Sequence, residues 1–383
     1  MKQVAFVNEN TMGHASYLLP FVNVLRQHPE LGITPHVIDA TPLPAPFHYR
    51  ADFSVRGLRK WGLDFHNARW RRTVSRFVRE QLDGLRGQRS IDAVVVNTQS
   101  VALHLKDLEH ELPLFVCLDA TFQQLASSAW FAPNLGTRLF LPLTAAPIRK
   151  LERQLFQRAD RLLAWSEPAR QSLLEAYDCP PERVSLLPPS VDASNRKATR
   201  PAHTRPQILF MGGDFRRKGG RILLECYRHW FSGTCDLHLV THSPVEPESG
   251  VYVHHDVKPY TQPWFERWQS ADVFVFPSTL ETFGIVLLEA LAFQVPVISA
   301  DVGAARYVLA DGRAGWLLPD QKEETLARLL REVLDDPSAA RERAMRGRER
   351  VESCFDLRRN TSQLASWLHE AVCSRRGILQ EQS

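Results

Sequence analysis

Short apolar runs alternate with amphipathic helical stretches almost from one end of the chain to the other, and no other feature restricts its fold so sharply. A run of Val, Ile, Leu and Phe without polar alternation reads as a strand buried on both faces. Such strands need helices above and below them, which means a parallel sheet. In the first half the strands read Val4–Asn8, Thr34–Ile38, Ala93–Thr98, Leu114–Leu118, Leu162–Ser166 and Val184–Pro188, with helical patterns such as Ser16–Gln27 and Pro147–Ala159 between them. A second series runs through Ile208–Met211, Asp236–Thr241, Val251–His255, Asp272–Pro277, Pro296–Ala300 and Gly315–Leu318, followed by a helical tail from Glu323 to about Ser374. Between the series, Pro188-Pro189-Ser190-Val191-Asp192 and Ala202–Pro206 are rich in Pro, Ser, Thr and Arg and lack apolar periodicity, as an interdomain linker would.

The expected class is therefore α/β, with two Rossmann-like doubly wound domains facing across a cleft. The first domain is read as 1–190, the linker as 191–206 and the second domain as 207–355. A C-terminal helix, 356–383, is expected to pack back on the first domain. Ligands of such sheets sit at the carboxyl ends of the strands.

Composition closes off other classes. Hydrophobic residues make up 44% of 383 and charged residues 23%, enough for two cores and unlike a disordered chain. The six cysteines lie far apart without a Cys-x-x-Cys pair, which suits free thiols in a reducing compartment. The first residues run straight into a strand pattern without the apolar block of a signal peptide, and no stretch approaches the length of a membrane span. A cytoplasmic location is expected.

The net charge of +4 is too small to argue for nucleic acid, which is not an expected partner, but it is unevenly spread. Residues 50–89 hold eleven Arg/Lys against four Asp/Glu, a local excess of seven, together with Trp61, Phe65, Trp70 and Phe77. One reading is a helix with a solvated basic face and a buried aromatic stripe. The other is a peripheral contact with an anionic membrane, since each cation near such a surface is worth roughly 1 kcal/mol.

The segment Pro277-Ser278-Thr279-Leu280-Glu281-Thr282-Phe283-Gly284-Ile285-Val286-Leu287-Leu288-Glu289-Ala290 leaves a strand, crosses a short loop and opens a helix near Gly284. A helix N-terminus presents unpaired N–H groups and the positive end of its dipole, so it attracts phosphate. Eight residues of helical rise would set Glu281 and Glu289 ~12 Å apart along the axis. That span suits one carboxylate on a sugar and the other on a ribose, because a carboxylate accepts two hydroxyl hydrogen bonds at once. The plainer reading makes Glu281 a helix-start acid and Glu289 a surface residue. Upstream, Ile208-Leu209-Phe210-Met211-Gly212-Gly213-Asp214-Phe215-Arg216-Arg217-Lys218-Gly219-Gly220 is a strand, a glycine turn and three adjacent cations. Clustered Arg and Lys there would neutralise a diphosphate; a solvated basic turn is the alternative.

These segments resemble the retaining glycosyltransferases of family 4, which share the two-domain GT-B fold and a Glu-x7-Glu motif. The resemblance rests on Pro277-Ser278-x-x-Glu281-x-Phe283-Gly284-x-x-x-x-Glu289-Ala290, on Pro296-Val297-Ile298-Ser299 with Gly303, and on Gly312–Pro319. It implies that a hexose-type sugar moves from a nucleoside-diphosphate donor to an acceptor hydroxyl. Glu281 would act at the sugar, and Gly213, Arg217, Lys218, Thr282, Phe283, Gly284, Ile285 and Glu289 would bind the donor. Arg217 and Lys218 are similar to the phosphate-binding pair of some members; many relatives instead place an Arg where this chain has Gly213. In the first half the loop Asn8–Ser16 would approach donor phosphates and acceptor, which makes Gly13 a candidate. His14 is similar in place to the base of some inverting GT-B enzymes, or else makes only local hydrogen bonds. Asp119 stands where many members have a histidine near the reacting carbon; it would bind a sugar hydroxyl or steady positive charge, or simply cap the helix after it. With no Asp-x-Asp motif and no metal-spaced His/Cys cluster, the expectation is a metal-independent site without cofactor. An inverting transferase using His14 or Asp119 as base, and a degenerate protein that binds nucleotide-sugar without turnover, remain the alternatives.

Overall fold

The computed structural model describes residues 1–9, 14–40, 65–127, 135–193 and 203–381. These divide into two compact units, Met1–Pro189 with Leu357–Ser383, and Ser190–Asp356.

The first unit carries β1 (Lys2–Asn8), α1 (Ala15–Gln27), β2 (Ile33–Asp39), α2 (Phe65–Gln88), β3 (Ala93–Asn97), β4 (Leu114–Leu118), α3 (Phe122–Ser127), α4 (Leu135–Arg158), β5 (Arg161–Ala164), α5 (Glu167–Tyr177) and β6 (Val184–Leu186). Its strands form one parallel sheet in the order β2-β1-β3-β4-β5-β6. The strand β3, Ala-Val-Val-Val-Asn, is buried at every position, as a central strand covered on both faces must be. One core joins this sheet to α2 through Trp70, Val74, Val78 and Leu82 and to α4 through Leu155, Phe156 and Ala159.

The second unit carries β7 (Gln207–Met211), α6 (Gly220–Trp230), β8 (Asp236–Val240), β9 (Val251–His254), α7 (Gln262–Ser270), β10 (Val273–Phe276), α8 (Ile285–Ala292), β11 (Val297–Ala300), α9 (Ala305–Val308), β12 (Trp316–Leu318), α10 (Glu323–Asp335) and α11 (Pro337–Cys354). Its strands are also parallel, in the order β12-β11-β10-β7-β8-β9.

The last helix, α12 (Leu357–Glu381), belongs to the first unit. His369 Nε2 lies 2.9 Å from the Leu31 carbonyl, Arg375 pairs with Asp160, and the Arg161 guanidinium sits 5.0 Å from the Trp367 ring centre.

Differences from the sequence reading sit at element ends. Ser166, read as the end of a strand, instead caps α5, its hydroxyl accepting from the Ala169 amide at 3.4 Å. The helix read from Pro147 starts twelve residues earlier, at Leu135, and runs through Pro142 and Pro147. The stretch read as linker begins inside the second unit: Val191 and Ala193 are buried, the Val191 amide donates to the Phe355 carbonyl at 3.0 Å, and Arg348 reaches the Ala193 carbonyl. Two apolar side chains and a paired backbone outweigh the turn-like composition there. Positions 194–202 of that stretch lie outside the described residues.

Candidate functional site

In each unit the strand order reverses at one place. A doubly wound sheet opens its ligand crevice there, because the chain leaves neighbouring strands in opposite directions. In the second unit the reversal falls between β7 and β10, paired in register with Ile208 against Val273. The glycine-and-cation loop leaves β7 and the Glu281 loop leaves β10, so the two segments singled out by sequence meet at this switch point.

Backbone bonds stitch the two loops together. The Arg217 carbonyl accepts from the Thr279 amide at 3.0 Å and from the Thr279 hydroxyl at 3.0 Å, with Ser278 Oγ at 3.4 Å. Gly219 has φ +77°, and a Cβ on it would fall 1.9 Å from the Pro277 carbonyl oxygen, so a residue without a side chain is required. Gly303 plays the same part from the loop after β11: a Cβ there would lie 2.2 Å from the Glu281 carbonyl oxygen, while the Ala304 amide donates to Thr282 at 3.0 Å. The Glu281 loop is thus clamped from two sides.

On this frame Lys218 Nζ forms an ion pair with Glu281, both side chains being mostly shielded, and lies 5.1 Å from the Phe276 ring centre. Arg217 reaches Asp214 at 3.3 Å and the Leu280 carbonyl at 3.4 Å. Gly284 precedes α8 as its N-cap, so the first amides of that helix, at Ile285 and beyond, open beside the pair. Phe283 is buried and packs edge-on against Phe355, and the Thr282 amide donates to Glu281 Oε1 at 3.3 Å. Glu289 falls on the buried side of α8 with only 9% exposure, which corrects its reading as a surface residue. The Gly213 carbonyl accepts from Thr241 Oγ1 at 3.2 Å and Ser243 Oγ at 3.3 Å. Sequence reasoning passed over both hydroxyls. Their only signal was position, directly after β8.

In the first unit the reversal falls between β1 and β3. Glu9 follows β1, Thr98 and Ser100 follow β3, Asp119 follows β4, and His14 stands at the start of α1. His14 Nε2 lies 3.2 Å from Asp119 Oδ2, and Nδ1 lies 3.5 Å from Glu9 Oε2. Glu9 is itself held by Thr98 Oγ1 at 2.5 Å and Ser100 Oγ at 3.3 Å, while Asn97 Nδ2 donates to the His14 carbonyl at 3.0 Å. Trp165 meets the His14 ring edge-on at 5.6 Å and stacks on Tyr17 at 4.2 Å. Burial disfavours charge on His14, but the fields and hydrogen bonds of Glu9 and Asp119 outweigh it and hold its pKa well above the usual imidazole range.

His14 and Asp119, 105 residues apart in the chain, are therefore brought together, so His14 is not confined to local bonds. Asp119 does not cap α3; its Oδ1 accepts from Ala120 at 2.8 Å, and Thr121 Oγ1 accepts from the Gln124 amide instead. Glu9, passed over in the sequence, completes the trio. Gly13 lies outside the described residues.

Two parallel sheets, each with polar side chains gathered at its switch point, define an α/β protein of the GT-B class. The Glycosyltransferase Family 4 model matches residues 21–195 and the Glycosyl transferases group 1 model matches residues 251–350. The chain belongs to family 4 of the glycosyltransferases. It is 30% identical to alpha-maltose-1-phosphate synthase of Mycolicibacterium smegmatis over 58% of this chain and 63% of that one. To D-inositol 3-phosphate glycosyltransferase of Corynebacterium glutamicum it is 27% identical, over 59% and 61%. The chain thus spans less than two thirds of the length of these curated relatives. Among solved structures, sucrose-phosphate synthase from Thermosynechococcus elongatus superposes with a TM-score of 0.71 at 17% identity, covering 98% of this chain and 100% of that one. HepE of Anabaena, in complex with UDP and glucose, gives 0.64 at 15% identity, covering 97% and 100%.

Proposed function

We propose that this chain is a retaining glycosyltransferase that moves a hexose-type sugar from a nucleoside-diphosphate donor to an acceptor hydroxyl. The observation that carries the reading is the Lys218–Glu281 pair at the β7/β10 switch, beside the opening of α8. A diphosphate needs positive partners as its charge grows, and Arg217, Lys218 and the first amides of α8 supply them. Glu281 holds hydroxyls of the sugar. Glu289, nearly buried, takes the ribose hydroxyls, whose two donors suit one carboxylate. The cationic side chains stand where a metal would otherwise neutralise the leaving group, so the proposed transfer is metal-independent. The names of the relatives support a sugar-transfer reaction, and the HepE complex supports a UDP-type donor.

In the proposed step the bond from the anomeric carbon to the diphosphate oxygen breaks. The acceptor oxygen bonds to the same face of that carbon, and its proton passes to the departing phosphate oxygen. No enzymic base takes part. The raised pKa of His14 supports this, since Glu9 and Asp119 favour the protonated imidazole, which has no lone pair to offer. His14 and Asp119 then serve as hydroxyl-binding groups of the first unit.

The close approach of His14 to Asp119 favours a second reading, inversion with His14 as base. Product NMR separates the two: a retained anomeric configuration supports the proposal and an inverted one overturns it. Glu281→Ala should lower kcat by roughly a thousandfold with an unchanged circular dichroism spectrum; full activity in that variant would refute the assignment.

A further inference from the structure

The first unit carries an outward surface that its sugar chemistry does not use. Helices α2 and α4 lie on the same side of the sheet and meet again where Ala68, near the start of α2, packs with Phe122 and with Ala145 and Ile148 at the middle of α4. On α2, Arg69, Arg72 and Arg76 are exposed. Their spacing of three and four residues places them on one stripe, opposite the buried Trp70, Val74 and Val78. On α4, Leu139 and Leu143 are 64% and 66% exposed, and Ala146 and Lys150 continue their stripe, opposite the buried Ala145 and Ile148.

Two large aliphatic side chains facing water in register are unusual for a helix whose other face is well buried. Charge separates this surface from an ordinary protein interface. From Phe65 to Arg79 and from Leu135 to Leu151 there is no Asp or Glu. The exposed Glu80, four residues after Arg76, ends the basic stripe; beyond it Asp83 is held by Arg79 at 2.9 Å, and Glu109, outside α2, by Arg86 at 2.9 Å. Arg72 and Arg76 have no carboxylate partner among the described residues. Beside them His104 is held below the usual imidazole range, first by burial and then by the fields of Arg76 and Arg72.

We infer that the outward stripes of α2 and α4 dock this protein on an anionic lipid bilayer, with Arg69, Arg72 and Arg76 at the headgroups and Leu139 and Leu143 dipping among the acyl chains. Charge complementarity alone would suit any polyanion. The leucines decide for a bilayer, because neither a nucleic acid nor an acidic peptide in water rewards a pair of exposed aliphatic side chains on a helix packed against the one that carries the guanidinium groups. Among the described residues no helix is long and apolar enough to cross a membrane, so the contact is a surface one.

The test is co-sedimentation of the full chain with vesicles of phosphatidylcholine alone or mixed with phosphatidylglycerol, at low and high salt. Wild type should sediment with the mixed vesicles and not with phosphatidylcholine, and salt should weaken the binding. Arg72→Gln with Arg76→Gln should lower the partition coefficient at least about tenfold. Leu139→Ser with Leu143→Ser should lower it by a similar factor and remove the binding that survives in salt. All four positions are exposed, and circular dichroism checks that the variants fold. Equal sedimentation with both vesicle types overturns the proposal. So does wild-type binding by the leucine variant, or equally tight binding of duplex DNA or polyglutamate, since either of these would make the surface a general polyanion contact. The inference uses no residue of the proposed donor site, so its failure leaves the transferase reading standing.

Discussion

The two switch points share a topology and differ in charge. At the β7/β10 switch, basic side chains and helix amides gather about the mostly shielded Glu281 carboxylate, and glycine-tight backbone contacts clamp the loops. At the β1/β3 switch, two carboxylates surround one imidazole, held by side-chain hydroxyls. The first arrangement is suited to an anion. The second, with two carboxylates about an imidazole whose protonated form they favour, suits hydroxyl donors. One architecture repeated in a single chain is thus given opposite preferences by a handful of residues at the strand ends.

The sharpest way to break that contrast is to remove one basic group from each side. Lys218→Met should weaken nucleoside-diphosphate binding by roughly a hundredfold in calorimetry, as expected for loss of a charge-assisted contact. His14→Ala should leave diphosphate affinity within about threefold. Equal losses would mean that the two switch points are not specialised as described.

The backbone clamp is tested by Gly219→Ala. Its new methyl collides with the Pro277 carbonyl at a left-handed backbone angle, so the variant should lose about 2 kcal/mol of stability, measured by urea denaturation of the second unit. A side-chain-only site would tolerate the change.

The smallest effect concerns the acidic trio. Because the native pKa of His14 is raised, its ionisation adds stability that is fully present below the unfolded value of about 6.5 and is lost as pH rises through the native value. Melting temperatures followed from neutral to alkaline pH should therefore fall in wild type. Asp119→Asn should flatten that fall by on the order of 1 kcal/mol. An unchanged slope would show that Asp119 does not hold the proton on His14.

Much of this is legible in the amino-acid sequence. Strands such as β3 and β4 announce themselves because a parallel strand buried on both faces must be apolar throughout. The Glu281–Glu289 spacing and the Arg217-Lys218 pair are local patterns, written within a few turns of chain. What escaped is long-range. Nothing near Glu9 in sequence marks it as a partner of Thr98, 89 residues on, or of His14. Thr241 and Ser243 look like ordinary turn residues until β8 sets them against Gly213. The burial of Glu289 likewise depends on what packs around α8. Element ends slipped where a side chain overrode composition, as at Ser166, whose hydroxyl serves a helix rather than a strand.

The return of α12 to the first unit imposes an order of events on a growing polypeptide. Every residue of Ser190–Asp356 leaves the ribosome before the segment whose His369 meets the Leu31 carbonyl. The unit that starts first therefore finishes last, waiting for its closing helix while its companion is already able to mature.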